Sequence, residues 1–146
     1  MMKLYLDSCS LQRPLDDQQQ ARVRLETEAI LALLDKIENK EIILLNSEVL
    51  LYEINRIPNL QRRHHALEML ALSDIKIKLD TFIEQRANEL QQYGIKPLDA
   101  LHLATAEQAN ADYFCTCDDR FLKRAQTLKL NTCAISPLQL LMELGL

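Results

Sequence analysis

The chain has 146 residues, with 21 acidic against 17 basic side chains and a net charge of −4. That balance excludes a protein that grips nucleic acid through a broad basic surface, and no apolar run approaches the ~18 residues of a membrane span. Only two glycines and no tryptophan argue against a glycine-loop nucleotide site or a β-rich design, while 48% hydrophobic residues suffice for one well-packed domain over 1–146.

In chain order, Met2–Leu6 reads as a buried strand, followed by a loop through Arg13-Pro14. Val23, Ala29, Ile30, Leu33, Leu34 and Ile37 recur at helical spacing and predict a long helix from Asp17 to Asn39. Glu41–Leu45 has strand length and ends on the cap-like Asn46-Ser47; a short helix then runs to Ile57, where Pro58 stops it. A helix over 60–72, a brief strand at Ile75–Ile77 and a helix over Thr81–Tyr93 closed by Gly94 follow. Pro97 suits the first position of the next helix, which fades at Asn110-Ala111. Asp112–Cys117 is a strand, Asp119–Leu128 a helix, Thr132–Ile135 a strand and Pro137–Glu143 the last helix. Alternating strands and helices predict an α/β fold with a mainly parallel central sheet, covered on both faces.

Four acids stand against apolar sequence. Asp7 closes Leu4-Tyr5-Leu6, Asp99 lies within a helix that is apolar nearly all round, and Asp118 follows the strand ending at Cys117. Glu53 is four residues after Val49 and four before Ile57, on the inward stripe of its helix, whereas Glu48 sits in the first turn, where a solvated acid suits the helix dipole. Singly, each has an ordinary explanation: an Asx-turn for Asp7, an N-cap for Asp118, a dipole partner for Asp99. Together they point to one site, because carboxylates ~4 Å apart repel by roughly 4 kcal/mol at an effective dielectric near 20 and call for a cation between them. Oxygen-only donors favour Mg²⁺ or Mn²⁺, and Mg²⁺ favours substrates that bring phosphate oxygens.

Around these acids, His102 is either a hydrogen-bonded core histidine or a partner orienting Asp99, three residues before it on the same face. Asp119 is a supporting acid or a first-turn charge. Arg13, placed after Asp7, and Arg56, after the Glu53 helix, are candidate RNA contacts, and Arg62, Arg63, His64 and His65 extend that basic stretch. The four cysteines, at 9, 115, 117 and 133, have no zinc-site spacing and read as small buried residues. With no signal-peptide pattern at the N-terminus, the expected compartment is the cytoplasm.

Four segments carry a resemblance: LYLDSCS (4–10), SEVLLYEI (47–54), GIKPLDALHLATA (94–106) and ADYFCTCDDRF (111–121). The last two resemble the G-x-x-x-x-D-A-x-H-x-A and T-x-D-x-x-F patterns of PIN-domain ribonucleases, so the chain is similar to that family along nearly its whole length. The resemblance implies a three-layer α/β/α PIN-like domain in which Asp7, Glu53, Asp99 and Asp118 bind Mg²⁺ or Mn²⁺ for cleavage of RNA. It also implies supporting roles for Ser8, where threonine is frequent, and for the Thr116 hydroxyl. Single domains of this size are similar to the VapC toxins of type II toxin–antitoxin pairs, which makes RNA, a small antitoxin and a second copy of the chain the expected partners. Two stretches depart from that pattern, Gln12–Asp17 and the basic Arg56–His65. The alternative is a catalytically weak PIN module that binds RNA or a protein. A haloacid-dehalogenase-type phosphatase would need an acid at position 9, where Cys9 stands.

Overall fold

The computed structural model describes residues 1–146 and contains five strands, all parallel, flanked by helices on both faces. The strands are β1 (Lys3–Leu6), β2 (Ile43–Ser47), β3 (Ile75–Ile77), β4 (Tyr113–Cys115) and β5 (Cys133–Ile135). The helices are α1 (Ser8–Gln12), α2 (Ala21–Glu38), α3 (Glu48–Ile54), α4 (Leu60–Leu70), α5 (Thr81–Gln91), α6 (Pro97–Gln108), α7 (Asp119–Gln126) and α8 (Pro137–Glu143). Strand order is β3-β2-β1-β4-β5. The expected three-layer α/β/α architecture with a parallel sheet is therefore the observed one.

The order has a consequence for ligands. From β1 the chain winds outward through β2 and β3, then returns to the other side of β1 as β4 and winds outward again to β5. Winding reverses between β1 and β4, which are paired at Leu4–Tyr113, Tyr5–Phe114 and Leu6–Cys115. At such a reversal the connections leave in opposite directions and a crevice opens beyond the carboxyl ends of the two strands. Asp7 directly follows β1, and Asp118 follows β4 by three residues.

Local chemistry sets most boundaries. Leu4, Tyr5, Leu6, Leu45 and Phe114 are fully buried, as strands covered on both faces require. Helix starts are closed by Ser47 onto the Leu50 amide, Asn59 onto Arg62, Asp80 onto Ile83 and a reciprocal Ser136–Gln139 cap, each satisfying amides that have no partner within the helix. Three expectations need correction. The loop expected through Arg13-Pro14 is helix α1 followed by a 3-10 turn over Arg13–Leu15; five residues with one large apolar side chain, Leu11, are too few to show a period, and the Asp7 cap onto the Ser10 amide starts the helix. Helix α2 begins at Ala21 instead of Asp17, because the Asp17 carboxylate takes the Gln19 amide in a turn and the Gln18 amide bonds back to the carbonyls of Arg13, Pro14 and Asp16. Strand β2 is displaced toward its C-terminal end, since the amides of Glu41 and Ile42 close the end of α2 on the Lys36 carbonyl.

One buried charge ties these elements together. Glu26, 2% exposed on the inner face of α2, accepts from Arg13 at 3.0 Å and from Arg22 at 3.3 Å. Arg13 also holds Asp16, and Arg22 reaches across to Asp119 at the start of α7. Removing one member of a buried pair strands the other charge. Glu26→Ala is expected to lower unfolding free energy by about 3 kcal/mol, read from urea denaturation midpoints; a loss under ~0.5 kcal/mol would mean that Arg13 finds water instead.

Candidate active site at the strand reversal

Asp7 is buried between the ends of β1 and β4. Its Oδ1 caps α1 by accepting the Ser10 amide at 3.0 Å, and the Cys9 thiol donates to both carboxylate oxygens at 3.1 and 3.2 Å. The Thr116 hydroxyl accepts the Asp118 amide at 3.1 Å and faces Asp7, linking two of the acids through one oxygen. Burial pushes the Asp7 carboxyl up; Thr116, Cys9 and Ser10 partly offset that by stabilising the anion. Thr116, the hydroxyl expected to support the acids, thus lies between Asp7 and Asp118. Ser8 differs: its hydroxyl takes the Gln12 side-chain amide at 2.9 Å, within α1.

Asp99 stands in the first turn of α6, two residues after Pro97. Its carboxyl is pushed up to about 6, first by burial and then by the negative fields of Asp7, Asp118 and Glu53, with His102 acting in the opposite sense. The other three acids thus lie near enough for their charges to act on Asp99. They do not form a closed cage: no three His, Cys, Asp or Glu side chains come close enough together to hold an ion as they stand. Asp118 is exposed and caps α7 by accepting the Phe121 amide at 3.2 Å, so its ordinary structural role and a place in the site coexist.

Glu53 is held by a chain of hydrogen bonds that starts in the sheet. Its Oε1 lies 2.9 Å from His102 Nε2; His102 Nδ1 lies 2.7 Å from the Tyr5 hydroxyl; and that hydroxyl lies 2.8 Å from Ser47 Oγ, which accepts the Leu50 amide. A carboxylate only accepts, so His102 carries its proton on Nε2 and accepts at Nδ1 from Tyr5, which in turn accepts from Ser47. Every atom of the chain is then satisfied. His102 and Tyr5 are buried, and burial pushes the Tyr5 hydroxyl up so that it stays a donor. Tyr5 itself stacks on Phe114 at 5.2 Å. His102 is therefore a core histidine, and the acid it orients is Glu53, where the sequence suggested Asp99.

Three further candidates have partners of their own. Asp119 pairs with Arg22 at 2.6 Å. Arg13 is committed to Asp16 and Glu26, which leaves it no free guanidinium face for RNA. Arg56 lies over the Tyr52 ring at 5.1 Å. The structure adds what the sequence reading missed: a cleft of about 850 Å³ beside Asp99 and Asp118, lined by Tyr93, Lys96, Arg120, Lys123 and Arg124.

Two outcomes follow from this geometry. An acid whose folded pKa lies above its unfolded value binds more protons when native, so stability falls as pH rises from about 4 through about 6. In EDTA, Asp99→Asn should therefore melt higher than the parent above pH ~6, by about 1 kcal/mol once solvent screening at this partly exposed group is counted, with the gap closing below pH ~4. A lower melting temperature at neutral pH would make Asp99 structural. Tyr5→Phe leaves Ser47 and His102 each short of a buried partner and should cost about 1–3 kcal/mol in chemical denaturation; a neutral result would refute the chain.

A family model described as "PIN domain" matches residues 11–126, a span that holds Glu53, Asp99 and Asp118, with Asp7 just before it. No curated protein matches. Among solved structures, a chain of VapBC2 from Rickettsia felis, bound to a DNA fragment from their promoter, superposes with a TM-score of 0.60 at 16% identity, over 92% of this chain and 98% of that one. A chain of FitAB bound to an IR36 DNA fragment gives 0.61 at 18% identity, over 92% and 95%. PAE2754 from Pyrobaculum aerophilum gives 0.57 at 18%, over 99% and 97%. At such identities the likeness is one of fold, while the family match spans most of the chain: this protein belongs to the PIN-domain family.

Proposed function

We propose that this chain is a metal-dependent endoribonuclease acting as the toxin of a toxin–antitoxin pair. The observation that carries the reading is the placement of Asp7 and Asp118 after β1 and β4, at the crevice where the sheet reverses, with the Asp99 carboxyl raised first by burial and then by the fields of the other acids. PIN domains are generally nucleases, and an all-carboxylate donor set suits a hard divalent cation, Mg²⁺ or Mn²⁺. Asp7, Asp99 and Asp118 would hold it, with Glu53 bound directly or through water. Such an ion supplies an activated water and stabilises the leaving oxygen of a phosphodiester.

The chain's own groups do the rest. Glu53 uses one oxygen on His102 and keeps the other for the attacking water, whose proton it can take. Thr116 and Cys9 hold Asp7 in place and favour its anion against the effect of burial. The antitoxin is supported by the fold shared with chains of VapBC2 and FitAB, and by Leu25 and Leu31, which are half exposed on α2 and give an amphipathic partner helix apolar surface to cover. An Arg or Lys from that partner, inserted among the acids, would replace the charge compensation of the metal.

With Mg²⁺ or Mn²⁺, Glu53→Gln should reduce RNA cleavage at least ~100-fold while Glu48→Gln changes it less than twofold, measured on a labelled RNA by gel. The reverse order would refute the site. Expression of the chain alone should arrest growth, and Asp7→Asn should relieve the arrest. Good tolerance of the active protein at high expression would remove the toxin role and leave the nuclease.

A further inference from the structure

The cations of this acidic protein are unevenly employed. Arg13, Arg22, Lys36, Lys40, Arg62 and Arg86 each hold a carboxylate. Lys96, Arg120, Lys123 and Arg124 hold none, and all four are exposed on the walls of a cleft that includes Asp99 and Asp118. They come from two short stretches that each carry an acid of the site. Lys96 is the N-cap residue of α6, three before Asp99; Arg120, Lys123 and Arg124 follow the Asp118 cap on α7. Around α1 and α4, Arg13 and Arg62 are instead spent on Asp16 and Glu26.

The cleft also has an aromatic lip. Tyr93 is 61% exposed, and its carbonyl accepts from Arg124 Nη1 at 3.3 Å. Arg124 lies over Gly94, whose φ of +87° and missing side chain let the guanidinium rest there; a β-carbon at 94 would collide with it. An exposed ring beside free cations offers a stacking face for a base and charges for the adjoining phosphates. Unpaired cations flanking two acids favour a polyanion over a protein segment.

We propose that this cleft carries a single-stranded nucleic-acid segment away from the acids. Its phosphates lie along Lys96, Arg120 and Lys123, and a base stacks on Tyr93 held by the Arg124–Gly94 contact. The inference rests on the nuclease reading and adds the direction in which the strand runs, across α7 and not across α1 and α4. The backbone chemistry is common to RNA and DNA, so the test carries both.

Fluorescence anisotropy with labelled single strands of about ten nucleotides, RNA and DNA of one sequence, would be run on the full chain with Ca²⁺ to hold off cleavage. Steady-state cleavage with Mg²⁺ or Mn²⁺ would accompany it. The double variant Arg120→Ala/Lys123→Ala should bind at least ~10-fold more weakly and show a salt slope shallower by about 1.4, as expected for two lost phosphate contacts on a single strand. Its KM should rise more than its kcat falls. Lys76→Ala/Lys78→Ala removes the same charge near β3 and should change nothing. Tyr93→Ala should weaken binding several-fold and Tyr93→Phe should restore it. Binding and KM of the Arg120/Lys123 variant equal to the parent's, in a protein that still cleaves RNA, would overturn the cleft and spare the nuclease. A parent that neither binds nor cleaves any single strand would overturn both.

Discussion

Everything functional in this fold depends on the reversal of winding between β1 and β4. A parallel sheet gains stability by burying strands on both faces, which forces the chain to cross over with helices and leaves the strand ends as the only accessible edge of the core. Where the crossovers part, polar groups can stand at the ends of fully buried strands without entering the core. Asp7 and Asp118 take that position directly. Asp99 and Glu53 come to it from helices α6 and α3, which pack on each other.

Gathering four carboxylates strains the metal-free protein electrostatically, and the structure distributes the strain unevenly. Asp7, the most buried, is surrounded by donors: an amide, a thiol and a hydroxyl. Glu53 is fixed by one directed bond from His102, backed by Tyr5 and Ser47. Asp99 has no such donors, and burial first, then the fields of the other acids, raise its carboxyl to about 6. The buried chain behind Glu53 also shows how a sheet can position a carboxylate at a distance: a tyrosine locked by stacking on Phe114 sets a histidine, which sets the acid.

Much of this was legible in the sequence because the acids interrupt apolar runs, and an interrupted run is a local signal. The strand and helix order followed for the same reason. What was hidden depended on contacts between distant elements. Arg13 looks available from its place beside Asp7, but Glu26 claims it from α2. A signal for that existed, since Glu26 occupies the helical phase of Val23, Ile30, Leu33 and Ile37 and so had to be buried and paired. Spacing offers His102 either a core role or Asp99 as its partner, yet α6 turns its side chain toward Tyr5 on β1, a partner 97 residues away. The cations of the cleft escape because each reads as an ordinary surface charge; only the fold brings the stretches around Asp99 and Asp118 to one cleft.

Gly94 illustrates a constraint that a consensus-minded engineer would overlook. It ends the segment after α5 with a left-handed backbone, a position where asparagine is the usual tolerated substitute. Here the same absence of a side chain gives Arg124 its resting place. A replacement chosen for backbone compatibility alone would still evict a guanidinium from the rim. Two otherwise separate requirements, one of main-chain geometry and one of space, meet at this position, and the one of space is the softer, because the atom met is the end of a flexible, exposed arginine side chain that can swing aside.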